Sequence, residues 1–272
     1  MTQRPDVGIS TAAFYPGYLT EDALSAIDHL GFRVVEIFLQ ADQEYTADFG
    51  AVLDRQRRER NLNVHSLHLY ATYFDLWAPY PRMVEEVRDR FRRLLAIAVT
   101  LDAEALTWHG LRYGLDDPHL VEAFFESALW AGEQARAAGL TLCIENVSWC
   151  YLRSPQHVRA IRRANLPVGF TFDAFQAGES GVEPAALVRA MGDQLATVHL
   201  SDYRPEAPRH LPPGQGDLDW LTLFRALHAG GYTGPFILEL AHVEALQVLV
   251  EARRFVRRLW RYVESEADRT PA

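Results

Sequence analysis

The sequence predicts a parallel (β/α)8 barrel, the TIM-barrel class of α/β fold. Three observations carry that prediction. Eight short apolar runs with strand alternation are separated by helix-length segments of helical periodicity, in strict β-then-α order. Several runs end on a carboxylate or an imidazole at one parity, while the opposite parity is apolar. The length, 272 residues at 49% hydrophobic, suits one closed core, since this barrel typically takes ~250 residues. A single domain over 1–272 is therefore expected. An open doubly wound sheet would gather ligands at two or three strand ends beside a switch point, whereas candidates here sit on most of the strand ends.

Residues 7–14 alternate as the first strand, and Thr20-Glu21-Asp22 reads as the cap and first turn of a helix stopped by Gly31. Residues 33–39 form the second strand with Glu36 facing inward, followed by a charged helix over 46–61. The third strand, 63–70, turns Ser66 and His68 inward and His65 outward, and Met83, Val87, Phe91, Leu94, Leu95 and Ala98 mark a helix over 82–100. In the fourth strand, 103–110, Thr107 and His109 share the inward face, and the next helix runs over 118–139 to a glycine stop.

The fifth strand, 141–147, places Glu145 beside Asn146, and Ser154-Pro155 starts the following helix. The sixth, 168–173, ends in Asp173, and a loop at 178–181 precedes a helix over 184–191. The seventh, 195–199, ends in His199 and enters a Pro-rich loop over 203–216, whose Gly214-Gln215-Gly216 fits a lid approaching the site rather than a phosphate fingerprint. A helix over 219–229, a glycine-rich turn and the eighth strand, 235–239, ending in Glu239, lead to a last helix over 243–264 with a frayed tail after Arg261.

Composition removes whole classes of chemistry. All 27 Lys+Arg positions are arginine, so Schiff-base aldolases, pyridoxal enzymes and phosphate-loop NTPases, which need a lysine amine, are excluded. Proton transfer must then use carboxylate, histidine, tyrosine or water. A net charge of −9 offers no basic footprint and disfavours nucleic acid as a partner. The N-terminus has no apolar signal core, and no run approaches the ~20 residues that span a bilayer, so a cytoplasmic protein with no membrane contact is expected. Cys143 and Cys150 form no metal pattern and read as buried thiols. Tyr73, Phe74 and Trp77 after the third strand offer a lid, ordinary loop packing or a homo-oligomer contact.

Glu145, Asp173, His199 and Glu239 thus stand at matching depth on consecutive strands. One inward carboxylate is commonly a buried ion pair with arginine, and Glu36 or Asp173 alone would fit that. Three clustered carboxylates would cost several kcal/mol per buried ion, and no inward position supplies an arginine. A divalent cation explains the set, and the oxygen-rich donors suit Mn or Mg, with Zn or Co also accommodated. His68 and His109 are candidate substrate contacts or the ligands of a second metal. The other histidines, His29, His119, His157, His228 and His242, fall on predicted helices or their ends and read as surface.

The motifs Gly31-Phe32-Arg33-Val34-Val35-Glu36, Ile144-Glu145-Asn146, His199-Leu200-Ser201-Asp202, the run from Leu211 to Trp220 and the run from Gly231 to Glu239 resemble the xylose-isomerase-like TIM-barrel superfamily. That superfamily includes sugar isomerases, ketose 3-epimerases, inosose dehydratases and type 2 apurinic endonucleases. The resemblance implies one metal held by Glu145, Asp173, His199 and Glu239. Two departures mark the subgroup: Gln176 stands where epimerases and endonucleases carry a histidine, and Tyr151 where ketose epimerases carry a glutamate. Pro208-Arg209-His210 replaces the Asp-x-His pair of the endonuclease's third zinc, while His68 and His109 match its second.

The expected activity is a divalent-metal-dependent isomerase or epimerase of a small polyhydroxylated substrate, a sugar or cyclitol. Glu145 and Glu239 would move a proton next to a carbonyl through a metal-stabilised ene-diolate. Gln176, Arg204 and His210, with His68 and His109, are the candidate substrate contacts. An inosose-type dehydratase shares the first step, and an endonuclease-like phosphodiesterase or a silent ligand-binding barrel are the alternatives.

Overall fold

Eight parallel strands close on themselves in sequence order: β1 (Val7–Ser10), β2 (Val34–Phe38), β3 (Asn63–His68), β4 (Ala105–Trp108), β5 (Thr141–Glu145), β6 (Gly169–Asp173), β7 (Leu195–Leu200) and β8 (Phe236–Leu238). This computed structural model describes residues 5–241 and 245–269. The barrel closes where Val7 pairs with Phe236 and Ile9 with Leu238. Gly8 is required at that seam, because a Cβ there would lie 2.7 Å from the Val34 carbonyl oxygen.

The surrounding helices are α1 (Thr20–His29), α2 (Ala47–Glu59), α3 (Pro81–Thr100), α4 (Pro118–Ala137), α5 (Pro155–Arg163), α6 (Ala174–Glu179), α7 (Pro184–Met191), α8 (Trp220–Ala229) and α9 (Gln247–Ala267). Their starts follow local chemistry. Thr46, Asp117 and Asp219 cap α2, α4 and α8 by accepting from the backbone N–H of Phe49, His119 and Thr222. Among the described residues no helix is long and apolar enough to cross a membrane.

Strand parity sorts the core into two layers. Val35, Ile37, Leu142, Ile144, Phe170, Phe172, Val198, Leu200, Phe236 and Leu238 are completely buried between the sheet and its helices. Fully burying each such side chain contributes about 1.5–3 kcal/mol. Inside the barrel the filling is polar: Thr107 and Thr171 meet at 3.0 Å, and Ser66 donates to Glu36 at 2.8 Å.

Four expectations need correction. His65 faces inward, with Nε2 3.1 Å from the Thr197 hydroxyl and Nδ1 3.1 Å from Glu104. The register between β2 and β3 slips at Val35/Glu36, so an extra residue on β3 lets His65 and Ser66 both enter the barrel and parity fails there. Residues 174–179 form the short helix α6, begun by Asp173 itself, whose carboxylate accepts from the Gln176 N–H at 2.6 Å; six residues are too few for helical periodicity to register. The C-terminal helix does not fray after Arg261: Trp260 and Val263 are buried and Glu266 pairs with Arg225 at 2.7 Å. Phe74 and Trp77 belong to the core, which removes them as a contact surface. His242 and the expected helix start at 243 lie outside the described residues, as does most of the N-terminal stretch read for a signal core.

Candidate metal and substrate site

The C-terminal ends of the strands bring Glu145, Asp173, His199 and Glu239 together, with one ligand atom from each lying within 4.8 Å of all the others. Glu145 and Asp173 end β5 and β6, His199 is the next-to-last residue of β7, and Glu239 follows the end of β8. Asp173 pairs directly with His199 in the sheet register. Asn146, next to Glu145, fixes the neighbouring strand by donating to the Asp173 carbonyl and accepting from its N–H, both at 2.8 Å.

His199 is the centre of the cluster. Its Nδ1 lies 2.9 Å from both Glu145 Oε1 and Glu239 Oε2, and 4.0 Å from Asp173 Oδ2. Its Nε2 lies 3.0 Å from Glu36 Oε2. Glu36, also accepting from Ser66 at 2.8 Å, is a partner that the sequence placed inward without assigning it a task.

A second group shares Glu145. His68 Nε2 lies 3.3 Å and His109 Nε2 3.0 Å from Glu145 Oε2, yet neither approach has hydrogen-bond alignment. The far side of His68, Nδ1, lies 3.1 Å from the Leu69 carbonyl, to which it can only donate. The neutral ring therefore turns a lone pair, not a proton, toward a carboxylate. A cation or a proton has to stand between them.

The electrostatics have the same cause throughout. Burial pushes the Glu145 carboxyl up, but His199, His109 and His68 outweigh it and hold it well below the ordinary range. Glu239, buried but facing His199, falls to about 2. Burial, with Glu145 and Glu239 adding like charge, drives Asp173 well above the ordinary range. Burial alone would lower His199, yet Glu36, Glu239 and Glu145 raise it well above. Without a metal the group is thus an imidazolium clamped by carboxylates, with one aspartate driven toward its protonated form.

These residues fit a divalent cation. Glu145 Oε2 and Asp173 Oδ2 are buried without a hydrogen-bond partner, which costs about 1–3 kcal/mol per group, and more for a charge. Donor atoms roughly 2.0–2.6 Å from one ion sit no more than about 5 Å apart, which is the observed spread. Cys143, buried beneath the site, has its thiol pushed up to about 12 by burial and offers no thiolate.

The expected substrate contacts divide. His210 lies beside the site, stacked on Phe175 at 4.2 Å, 2.9 Å from the Ser201 hydroxyl, and its own carbonyl accepts from the Ala241 N–H. Gln176 is buried next to Asp173, with its side-chain oxygen taken by the Ser148 N–H at 3.0 Å. Arg204 is held by Asp217 at 3.1 Å and is about half exposed, and none of its contacts reaches the cluster. Tyr151 packs on Phe124 and His157, away from the ligands. Trp149, four residues after Glu145, is 41% exposed and stands edge-on to His109 at 5.4 Å.

The Pro-rich loop after β7 brings His210 beside the site. It wraps the fully buried Asp202, whose carboxylate accepts from Tyr203 N (2.9 Å), Gly214 N (2.8 Å), Leu218 N (3.2 Å) and Trp220 Nε1 (2.7 Å). A Cβ at Gly216 would stand 2.4 Å from Asp202 Oδ1.

Fold and centre together define a TIM barrel with an acidic, histidine-bearing site at its C-terminal mouth. The chain belongs to the xylose isomerase-like TIM barrel family, whose sequence profile matches residues 24–259. It is 26% identical over 195 residues to SgbU of Escherichia coli K12, a candidate L-ribulose-5-phosphate 3-epimerase, covering 65% of this chain and 68% of that protein. A 3-dehydroshikimate dehydratase of Pseudomonas putida KT2440 is 30% identical over 120 residues, 40% of this chain but 19% of that one. Among solved structures, a D-tagatose 3-epimerase-like protein superposes with a TM-score of 0.83 at 17% identity, over 96% of this chain and 99% of that chain.

Proposed function

We propose that this protein is a divalent-metal-dependent epimerase of a small ketose, working in the cytoplasm as a single barrel domain over 1–272. The observation that carries the reading is the convergence of Glu145 and Glu239, from β5 and from the end of β8, on one imidazole nitrogen at 2.9 Å each. Glu145, Asp173, His199 and Glu239 would hold the ion. When bound it supplies a Lewis acid for charge developing on substrate oxygens. The kinship to a candidate sugar 3-epimerase supports a ketose as substrate.

The chain's own groups then account for the proton traffic. One glutamate takes the proton from the carbon beside the carbonyl, and the other returns a proton to the opposite face of the planar ene-diol. His109 and His68 line the same carboxylate and are placed to hold substrate hydroxyls. Trp149 offers an apolar edge for the carbon face of a sugar, and His210 and Gln176 close the wall beside Asp173. With no lysine in the chain, the carboxylates are its bases.

The test is to measure metal per chain by elemental analysis. The loaded protein is then incubated with ketoses in D2O and deuterium at the carbon next to the carbonyl followed by NMR. Exchange with inversion is expected; no exchange on any ketose would sink the reading. The match to a dehydratase over 120 residues favours one second reading, loss of a β-hydroxyl as water from the same ene-diol, which the same spectra would reveal as a deoxy-dicarbonyl product.

A further inference from the structure

Resting on that reading, we propose that Glu179, the last residue of α6, is a positioning residue of the substrate site. By tying the loop after β5 to the loop after β7, it fixes Trp149 and His210 relative to each other. Its partners are Ser148 and Arg209, neither of which is a metal ligand.

Glu179 reaches both loops at once. Its Oε2 accepts from the Ser148 hydroxyl, and its two oxygens take the Arg209 guanidinium as a bidentate pair, Nη1 to Oε1 at 2.5 Å and Nη2 to Oε2 at 3.1 Å. Ser148 is the residue before Trp149, and Arg209 the residue before His210. One carboxylate therefore spans the roots of both rings. An exposed ion pair ordinarily contributes little, but a bidentate pair joined by a third hydrogen bond carries geometric specificity as well.

The rest of α6 is the bed on which the second loop lies. Phe175 stacks on His210 at 4.2 Å, carries the Arg209 guanidinium over its face at 4.8 Å and meets Tyr203 at 5.7 Å. A Cβ at Gly178 would stand 2.8 Å from the Tyr203 side chain, so only glycine lets the loop rest on the turn that bears Glu179. The loop after β5 is held from the same helix, through the Ser148 N–H on the Gln176 side chain at 3.0 Å. Because α6 begins at Asp173, both walls are referenced to the metal centre through one short helix. Side chains on loops are placed less precisely than those on helices, and a 1 Å misplacement can cost about 10²-fold in rate. Glu179 transfers the precision of the helix to two loops.

Two measurements on the metal-loaded protein test this. One is steady-state epimerisation. The other is amide hydrogen exchange of segments 147–152 and 203–211 by mass spectrometry, which needs no substrate. Glu179→Gln keeps the shape and loses the charge, so exchange of both segments should rise about five-fold or more, and KM about ten-fold with kcat held within about two-fold. The swapped pair, Glu179→Arg with Arg209→Glu, should return both quantities towards the parent. Exchange at the parental rate in Glu179→Gln overturns the proposal, as does faster exchange with an unchanged KM. A fall in kcat at constant KM also overturns it, because Glu179 would then act on the chemistry, and a swap that restores neither quantity overturns the part given to the ion pair. If the unaltered protein turns over no ketose, the epimerase reading falls, while the exchange rates still decide whether Glu179 ties the two loops.

Discussion

Glu36, on β2, meets Nε2 of His199, on β7, at 3.0 Å, so a carboxylate from across the barrel grips the face of the imidazole that points away from Glu145 and Glu239. A metal-binding histidine needs such a partner to hold its second ring proton and fix its tautomer. Loss of such partners typically costs about 10–100-fold in metal affinity. Glu36→Gln should therefore weaken metal binding by about 10-fold, the low end of that range, because the amide keeps the shape but not the charge. Metal titration with far-ultraviolet circular dichroism checks both parts. Unchanged affinity would reduce Glu36 to a plain buried ion-pair partner.

The chelated protein should lose stability as pH rises, and metal should remove that loss. Burial would lower His199, but Glu36, Glu239 and Glu145 outweigh it and raise its folded value well above the ordinary 6.5. A raised folded value means that stability is complete below 6.5 and drains away as pH climbs through the folded value. Asp173, also raised, acts in the same direction from lower pH. Glu145 and Glu239, lowered by His199, act oppositely and lose their contribution as pH falls below the ordinary carboxylate value. Thermal melts from pH 6 upward with chelator should decline, and saturating metal should flatten them. A chelated protein whose melting point is level above pH 6.5 would contradict the clamped imidazolium.

How much of this was legible follows from the kind of signal. The four ligands sit at fixed parity on strands, and strand parity is a property of the local chain, so Glu145, Asp173, His199 and Glu239 could be grouped from sequence. His65 could not, because a register slip between β2 and β3 depends on the neighbouring strand. The partnership of Glu36 with His199 spans 163 positions and has no local trace. Asp202 stands inside the His199-Leu200-Ser201-Asp202 run with no local signal of its own. Its burial under a loop is visible only once Gly214, Leu218 and Trp220 are seen to converge on it.

That convergence makes a stability prediction. Asp202→Ala leaves the Trp220 indole N–H and the Gly214 N–H without their acceptor. Buried unsatisfied donors cost about 1–3 kcal/mol each, so a loss of roughly 3 kcal/mol is expected, about 5 °C in melting temperature for a chain of this size. The damage should localise: limited proteolysis should cut within 203–219 before anywhere else. Gly216→Ala, whose Cβ would press on Asp202 Oδ1, should open the same segment. A variant as stable as the parent would mean that the loop finds other acceptors.

The pair His68 and His109 decides whether one ion or two belong here. As substrate contacts, each changed to Ala should leave one equivalent of metal per chain and lower kcat/KM by roughly 10-fold or more, the scale of about 1.4 kcal/mol. If the parent protein instead takes two equivalents of zinc and His109→Ala takes one, Glu145 bridges two ions, and phosphodiester substrates return to consideration. Elemental analysis of the three proteins separates the cases without any assay of turnover.

Glu145 and Glu239 reach the same nitrogen from different strands, and a two-base inversion needs that arrangement, one carboxylate per face of the ene-diol. Each variant to Gln should therefore fail in its own way. General acid–base groups typically contribute about 10²–10⁴-fold, so Glu145→Gln and Glu239→Gln should each lose at least that much of the epimerisation rate while keeping the fold. The informative readout is deuterium. A single remaining base can still wash out the proton on its own face, so each variant should exchange one epimer in D2O without inverting it, and the two variants should favour opposite epimers. Both residues are also ligands, so metal occupancy is to be fixed at saturation before the comparison. If either variant inverts the substrate at the parent rate, the two-carboxylate assignment is wrong and the second proton must come from water or His109.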